Sequence, residues 1–474
     1  MSLRFGYGTN GFANHRLDDA LAVIADLGYA GVALTLDHAH LDPFADDVSK
    51  RVDAVRSRLG ELGLGVVVET GARYLLDPRR KHHPTLVSDA GREVRVDFLR
   101  RAVRIAADLG AECVSFWSGV LPSGTGPDTG WQRLAEGVEE VLAEAGRLGV
   151  PLGLEPEPGM LVERLDDAFA LRRRLGDPDL LRITLDVGHC VAVETRSAAE
   201  CVRAAGPLLV NVQLDDMRRG VHEHLEFGTG ELDLPATLGA LAETGYQGLA
   251  AVELPRHSHA APAVARRSIA ALRAASWVAG AQRRIRADAT TIRTLFPAAG
   301  RACGRGPVDP VGDPTGMLEG TTDDHARTAL LTTLREMLPP ELLAAEVTEL
   351  YRYGDDAEKR GVLRGLPALD GALPVETGLE LVRDALRTND TRLVAAAMGP
   401  YAARHLESHS WRHGVLKCLF VGVPLNAEAG SRVDDELGRM VSDFVAERRA
   451  AGRAVPEDAT RLLTYLHFAQ GAIG

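Results

Sequence analysis

The sequence predicts a mixed α/β plus all-α fold: a closed parallel (β/α)8 barrel, then a linker, then a C-terminal helical domain. Three observations carry this reading. Short apolar runs alternate with amphipathic stretches through residues 1–282, several of those runs stop at a carboxylate or amide, and the apolar spacing beyond residue 325 is helical. A chain of 474 residues also exceeds one ordinary hydrophobic core, so more than one domain is expected.

Taken in order, the barrel strands are expected at Phe5–Gly8, Gly31–Leu36, Gly65–Glu69, Cys113–Trp117, Leu152–Glu155, Ile183–Asp186, Leu209–Leu214 and Leu249–Leu254. Helices are expected between them at Leu17–Leu27, Val48–Leu62, Val94–Leu109, Leu134–Leu148 and Asp166–Leu175, with Ala261–Ala279 after the last strand. Gly60 and Gly63 act as stop signals for the second helix. Strand-helix alternation over ~250 residues favours a closed barrel over an open doubly wound sheet. No G-x-G-x-x-G follows the first strand, which weakens a dinucleotide-binding reading.

Residues 283–324 turn arginine-rich and then rich in glycine and proline, and read as a linker that is partly ordered at most. Residues 325–474 carry helical runs such as Leu342–Tyr351, Leu379–Leu386 and Leu437–Val445. Arg387-Thr388-Asn389-Asp390 reads as a helix end with a capping turn, and Arg387 and Lys417 are candidates for an anion. His405, His409 and His413 would share a helical face if one helix ran through all three, although Gly399-Pro400 marks turns in this region.

The formal net charge of -12 argues against a protein whose main work is gripping nucleic-acid phosphates. Five scattered cysteines without C-x-x-C pairing indicate neither a disulfide framework nor a structural zinc site, which fits a reducing cytoplasm. The opening Met1-Ser2-Leu3-Arg4-Phe5 lacks a leader's basic and apolar pattern, and no apolar run approaches the ~20 residues of a membrane span.

Function is expected at the strand ends. Gly65–Glu69, Pro151–Glu155, Ile183–Asp186, Leu209–Gln213 and Leu249–Glu253 each place a polar group where an apolar run stops. One such glutamate is ordinarily just solvated. Oxygen donors from Glu155, Asp186, Gln213 and Glu253 together suit a divalent ion, with Mn2+ or Mg2+ preferred and Zn2+ or Co2+ as further options. Asp186-Val187-Gly188-His189 adds an imidazole three residues on, with Gly188 read as the residue that lets the chain turn sharply.

Leu154-Glu155-Pro156-Glu157-Pro158-Gly159, Leu185-Asp186-Val187-Gly188-His189, Val212-Gln213-Leu214-Asp215-Asp216, the stretch His222–Asp233 and Val252-Glu253-Leu254-Pro255 together resemble the xylose isomerase-like, endonuclease-IV-like TIM-barrel family of sugar isomerases and epimerases, over roughly residues 1–280. The resemblance implies that Glu155, Asp186, Gln213 and Glu253 bind the ion and that His189 and His224 contact substrate or a second ion. It also implies an acid–base pair, Glu155 and Glu253, moving a proton through a metal-stabilised enediolate. A hydride shift is the other route that the residues allow. The family's nuclease branch needs more histidine ligands than this chain offers, since Glu69-Thr70-Gly71 and Trp117-Ser118-Gly119 end two strands, Gln213 replaces an imidazole and His222 replaces a carboxylate.

For substrate, a sugar, sugar phosphate or polyol, the expected contacts are His222, Glu69, Arg73, Trp117 and Phe12. Phe12 and Trp117 would wall its apolar face, with core packing as the competing account. Arg73, Arg79, Arg80, Lys81, His82 and His83 form a basic loop suited to a phosphate or carboxylate, a solvated loop being the bland reading. Asp37-His38-Ala39-His40 could line the mouth or be a polar loop without a duty.

In the C-terminal part, Ala385–Asp390, Gly399–Ala403, Trp411–Leu425 and Ala446–Arg453 resemble the EboA family, over about residues 325–474. That implies a metabolite-processing or trafficking context, and a partner protein or a second copy of the chain as further expectations. A noncatalytic metabolite binder is the alternative to an enzyme, and an endonuclease-IV-like phosphodiesterase a minor one.

Overall fold

The computed structural model describes residues 3–425 and 432–471, so Met1 and Ser2 of the opening stretch lie outside the described residues. Compact units form from Met1–Ser276 and Trp277–Gly474, and the division falls inside one helix, Ala261–Ala287.

In the first unit the strands are β1 (Arg4–Gly8), β2 (Gly31–Thr35), β3 (Gly65–Glu69), β4 (Val114–Trp117), β5 (Leu152–Glu155), β6 (Leu181–Asp186), β7 (Leu209–Leu214), β8 (Asp216–Arg218), β9 (Val221–Leu225) and β10 (Leu249–Val252). They form a closed barrel in the order β1-β10-β7-β6-β5-β4-β3-β2, and β8 and β9 pair as a separate antiparallel ribbon. Every barrel pairing is parallel, and β1 meets β10 at Arg4↔Leu249 through Tyr7↔Val252. The eight expected barrel strands are all present, with boundaries shifted by a residue or two.

Parallel strands must be linked by crossovers, and amphipathic helices supply them. Helix α1 (Leu17–Asp26) buries Leu17, Leu21 and Ile24, and α2 (Val48–Leu62) buries Val52, Val55 and Leu59, the spacing of one helical face. Gly63 ends α2 at φ 66, a conformation that a Cβ disfavours. Helix α3 (Arg92–Leu109) precedes β4, α4 (Pro127–Leu148) precedes β5 and α5 (Leu165–Arg174) precedes β6. After β6 come α6 (Val187–Val193) and α7 (Ala198–Ala205), and α8 (Leu234–Glu243) precedes β10.

The core lies between strands and helices, where Val32, Leu34, Val68, Leu154, Leu185 and Val252 are buried against helical residues such as Leu99 and Leu238. A smaller cluster of Ala33, Val67, Cys113, Leu249 and Ala251 fills the barrel's own interior. The barrel is thus plugged below, and the polar strand ends open on the carboxyl side.

In the second unit, residues read as a linker are partly helical. The helix Ala261–Ala287 runs past Arg283, and a further helix, Ile292–Cys303, buries Ile292, Leu295, Phe296 and Ala299. That i, i+3, i+4, i+7 spacing is the signal of an amphipathic helix, masked in the sequence by flanking arginines and Pro297. The unit's apolar core includes Leu330, Leu334, Val347, Leu366, Val382 and Trp411. Beside it Asp323 meets Arg327 at 2.6 Å and Asp324 meets Arg360 at 2.8 Å, all four buried.

Asp390 caps the helix Thr391–Ala397 by accepting from the amides of Arg392 and Leu393, the capping turn expected there. His405 ends the helix Pro400–His405, whereas His409 and His413 lie on Ser408–Val421, so the three histidines share no continuous helix. His405 bonds Asp370 at 2.9 Å, and Lys417 bonds Asn389 at 2.6 Å. Among the described residues no helix is long and apolar enough to cross a membrane.

Candidate active site at the strand ends

The open end of the barrel holds a cavity of about 480 Å3, lined by Glu69, Trp117, Glu155, Glu157, His189, Gln213, His222, His224 and Glu253. Its floor follows from strand register. Asp186 pairs with Gln213 across β6 and β7, and Trp117 pairs with Glu155 across β4 and β5. Glu253 lies one residue past β10, its amide bound to Leu214 O at 3.0 Å. Because each strand ends at nearly the same height, side chains distant in sequence arrive in one layer.

Glu155, Asp186 and Glu253 offer carboxylate oxygens that all lie within 4.8 Å of one another. Three such groups cannot all stay charged in a buried place without a cation or a proton between them. Burial, followed by the charges of Glu157, Glu253, Glu69 and Asp186, pushes the Glu155 carboxyl well above its usual range. Burial likewise raises Glu253, against the pull of His224. Glu69 is pushed up to about 8 by burial and then by Glu253, although Asn211 donates to it at 2.8 Å.

Asp186 is held below the usual carboxylate range. Burial opposes its charge, but His189, His224 and the His189 amide outweigh that effect. Its Oδ1 caps α6 by accepting that amide at 2.9 Å, while Oδ2 and Gln213 Oε1 are buried without a hydrogen-bond partner. Orphaned oxygens beside a crowded carboxylate set fit a divalent cation.

His189, His222 and His224 form an imidazole wall, with ring centres 4.9 to 5.8 Å apart. His189 Nδ1 lies 3.1 Å from Pro156 O, and because a carbonyl only accepts, that nitrogen is the donor. Nε2 lies 3.7 Å from Asp186 Oδ2 and 3.9 Å from Glu157 Oε2. His224 Nδ1 stands 2.5 Å from Asp215 Oδ2. Burial works against a charge on His224, but Asp215, then Glu253 and Asp186, push its pKa up to about 10. His222 is instead pushed down to about 4, by burial and then by the neighbouring imidazoles.

The structure gathers most of the expected residues and separates one. Glu69, Arg73, Trp117, Glu155, His189, Gln213, His222, His224 and Glu253 all line the cavity, while Asp186 does not line it and is buried beside it, its carboxylate within 4.8 Å of those of Glu155 and Glu253. Phe12 does not line it. It is wholly buried, edge-on to Tyr7 at 5.4 Å and to His15 at 5.1 Å, so the expected sugar wall at that position is core packing. Asp37 and His38 of the loop left open above also reach the cavity.

Gly188 earns its place through close approach rather than a turn. A Cβ there would stand 2.1 Å from Asp215 Oδ1, and its φ is not in the left-handed region.

Residues missed in the sequence include Glu157, Asn10 and Asp215. Glu157 follows Glu155 by two, the period that keeps strand side chains on one face, and that was its available signal. Asn10 Nδ2 donates to Glu253 Oε1 at 2.9 Å. The β8–β9 ribbon was hidden by its shortness, yet it places His222 and His224 on one face of β9. Asp216 anchors the loop after it, accepting from the amides of Gly228, Gly230 and Leu232, each at 2.9 Å.

Residues 21–275 match the family described as xylose isomerase-like TIM barrel. The chain belongs to that family. Residues 318–464 match a second description, metabolite traffic protein EboA, so the two modules are fused in one chain. Among characterised relatives, the barrel is 24% identical over 228 residues to L-ribulose-5-phosphate 3-epimerase UlaE of Shigella flexneri serotype 5b, covering 47% of this chain and 80% of the relative. The UlaE protein of Escherichia coli strain SMS-3-5 is 24% identical over 239 residues, covering 50% and 81%. A solved structure of L-ribulose 3-epimerase aligns with TM-score 0.49 and 20% identity, covering 60% of this chain and 98% of that one.

Proposed function

We propose that the barrel is a divalent-metal-dependent isomerase or epimerase of a sugar, sugar phosphate or polyol-like metabolite, working by proton transfer next to a carbonyl. The observation that carries this reading is the convergence of buried Glu155 and Asp186 with half-buried Glu253, their carboxylate oxygens within 4.8 Å of one another at the ends of three different strands. A pocket that merely held a neutral metabolite would gain little from three such carboxylates. The sugar epimerases among the relatives support the same reaction class.

Glu155, Asp186, Gln213 and Glu253 would hold the cation, through the orphaned Asp186 and Gln213 oxygens among others. When bound, it supplies Lewis-acid polarisation of a carbonyl and acidifies the adjacent C–H. Glu155 and Glu253 are the acid–base pair: one removes the proton from the carbon beside the carbonyl, and the other returns it, so that an enediolate lies between the two steps. Asn10 fixes the rotamer of Glu253. His189, held by Pro156 O, and His224, held by Asp215, orient substrate hydroxyls. The EboA match over residues 318–464 supports a metabolite-trafficking or processing context for this activity.

Solvent deuterium tests this. Wild-type protein is expected to exchange a carbon-bound hydrogen of a ketose with solvent, and Glu155→Gln and Glu253→Gln are each expected to abolish exchange while retaining metal. Full activity in both variants removes the assignment, and turnover without exchange replaces proton transfer by a hydride shift.

A further inference from the structure

Two cations at the cavity rim have no counter-ion among the described residues. Arg73 and Lys81 both line the cavity, both are exposed, and among the described residues neither makes an ion pair. Neighbouring cations differ. Arg256 also lines the cavity but pairs with Glu223 at 3.2 Å, and Arg80 pairs with Asp77 at 2.7 Å away from the cavity.

The loop that carries them is fastened. Residues 70–91 join β3 to α3, and within them the His82 amide donates to Arg73 O at 2.6 Å, which brings Arg73 and Lys81 onto neighbouring arms. Arg95, 3% exposed, reaches up from α3 and donates to Pro84 O at 2.9 Å, His82 O at 3.0 Å and Thr70 O at 3.5 Å. Its guanidinium also lies over the Trp117 ring, 4.6 Å from the centroid, and so ties the loop to the cavity wall. The field of the rim is felt inside, since burial and then Lys81, Arg95 and Arg73 push His82 down to about 4.

Resting on the isomerase reading above, we propose that Arg73 and Lys81 form an anion subsite that takes the phosphate of a phosphorylated sugar. Two unpaired positive charges match the near-dianion of a phosphate monoester better than the single charge of a carboxylate. Arg supplies a planar fork and Lys a point charge, a pairing suited to phosphate oxygens. The residues that would hold the cation, Glu155, Asp186, Gln213 and Glu253, lie at the strand ends below this rim, so the substrate enters with its phosphate at the mouth and its carbonyl end toward them. Charge therefore fixes orientation as well as selection.

The test compares dissociation constants by calorimetry on the metal-loaded full chain. Ribulose 5-phosphate and fructose 6-phosphate are each set against the free ketose, with glucuronate as the carboxylate probe. The phosphorylated ketose is expected to bind about tenfold or more tightly than its free form. Arg73→Gln with Lys81→Gln is expected to bring that ratio to near one, while Lys81→Arg and the off-cavity control Arg79→Gln keep it. Because the readout is a ratio, a general loss of affinity does not imitate it, and metal content reports whether the floor is intact. A ratio near one in the wild type, a ratio that survives in the double variant, or a stronger preference for glucuronate overturns the proposal. Solvent-deuterium exchange separates the two readings. Phosphate preference without exchange or turnover leaves the subsite and removes the isomerase, and exchange without phosphate preference does the reverse.

Discussion

Asp186 and Gln213 are register partners on β6 and β7, and each carries a buried side-chain oxygen with no hydrogen-bond partner. Paired strands project partners to the same face, so the two oxygens belong to one layer of the barrel floor. Asp186→Asn is expected to lower metal affinity by about 100-fold or more, because it removes charge as well as a donor. Gln213→Ala removes a neutral donor and should cost less, on the order of tenfold. Metal content by mass spectrometry and competition with a chelating dye check both.

Gly188→Ala would put a methyl group 2.1 Å from a carboxylate oxygen of Asp215. Either the Asp215 carboxylate is displaced from His224 or helix α6 shifts and carries His189 with it. The expected result is destabilisation of about 1–3 kcal/mol, together with weakened metal retention. Urea denaturation and metal content measure the two effects separately.

His82 gives a pH signature. Its pKa falls from the ordinary 6.5 to about 4 on folding, so between these values the unfolded chain binds more protons than the folded one. Stability from this group is therefore full above pH 6.5 and is lost as pH drops toward 4, by on the order of 1–2 kcal/mol after allowance for its partial exposure. His82→Gln should flatten the difference in urea midpoint between pH 7 and pH 5 relative to wild type. An unchanged slope would show that the group does not titrate differently on folding.

In the helical unit, Arg327 is buried against Asp323 at 2.6 Å and donates to Phe296 O at 3.1 Å. Arg327→Met keeps much of the volume but removes the closest cation from buried Asp323, which keeps Thr321 Oγ1 at 2.6 Å and Arg360 at 3.4 Å. A loss of about 1.5–3 kcal/mol is expected. The companion Asp323→Asn with Arg327→Met should recover part of it, as measured by chemical denaturation.

The barrel was readable in the sequence because its strands are apolar runs bounded by polar punctuation, from Gly65–Glu69 to Leu249–Val252. Glu155, Asp186 and Glu253 were readable for the same reason, each being the first charged group after a buried run. What escaped notice depends on partners that no local pattern encodes. Asn10 matters through Glu253, Asp215 through His224, and Arg95 through three backbone carbonyls. Phe12 was misplaced because an aromatic near a strand end can face the cavity or the core, and only tertiary packing chooses. The helix Ile292–Cys303 is masked by its arginine-rich flanks and Pro297, although its apolar spacing is helical.

The seam that closes the barrel joins β1 to β10, pairing Arg4 with Leu249. Contacts so far apart along the chain form slowly, since a long loop must be closed before they contribute. During synthesis, Asn10 leaves the ribosome long before its acceptor Glu253 has been made, so the cluster of acids at the barrel mouth is a late acquisition of folding. Partly grown chains thus have no working centre to misuse, and a nascent chain gains catalytic competence only when its first strand finds its last.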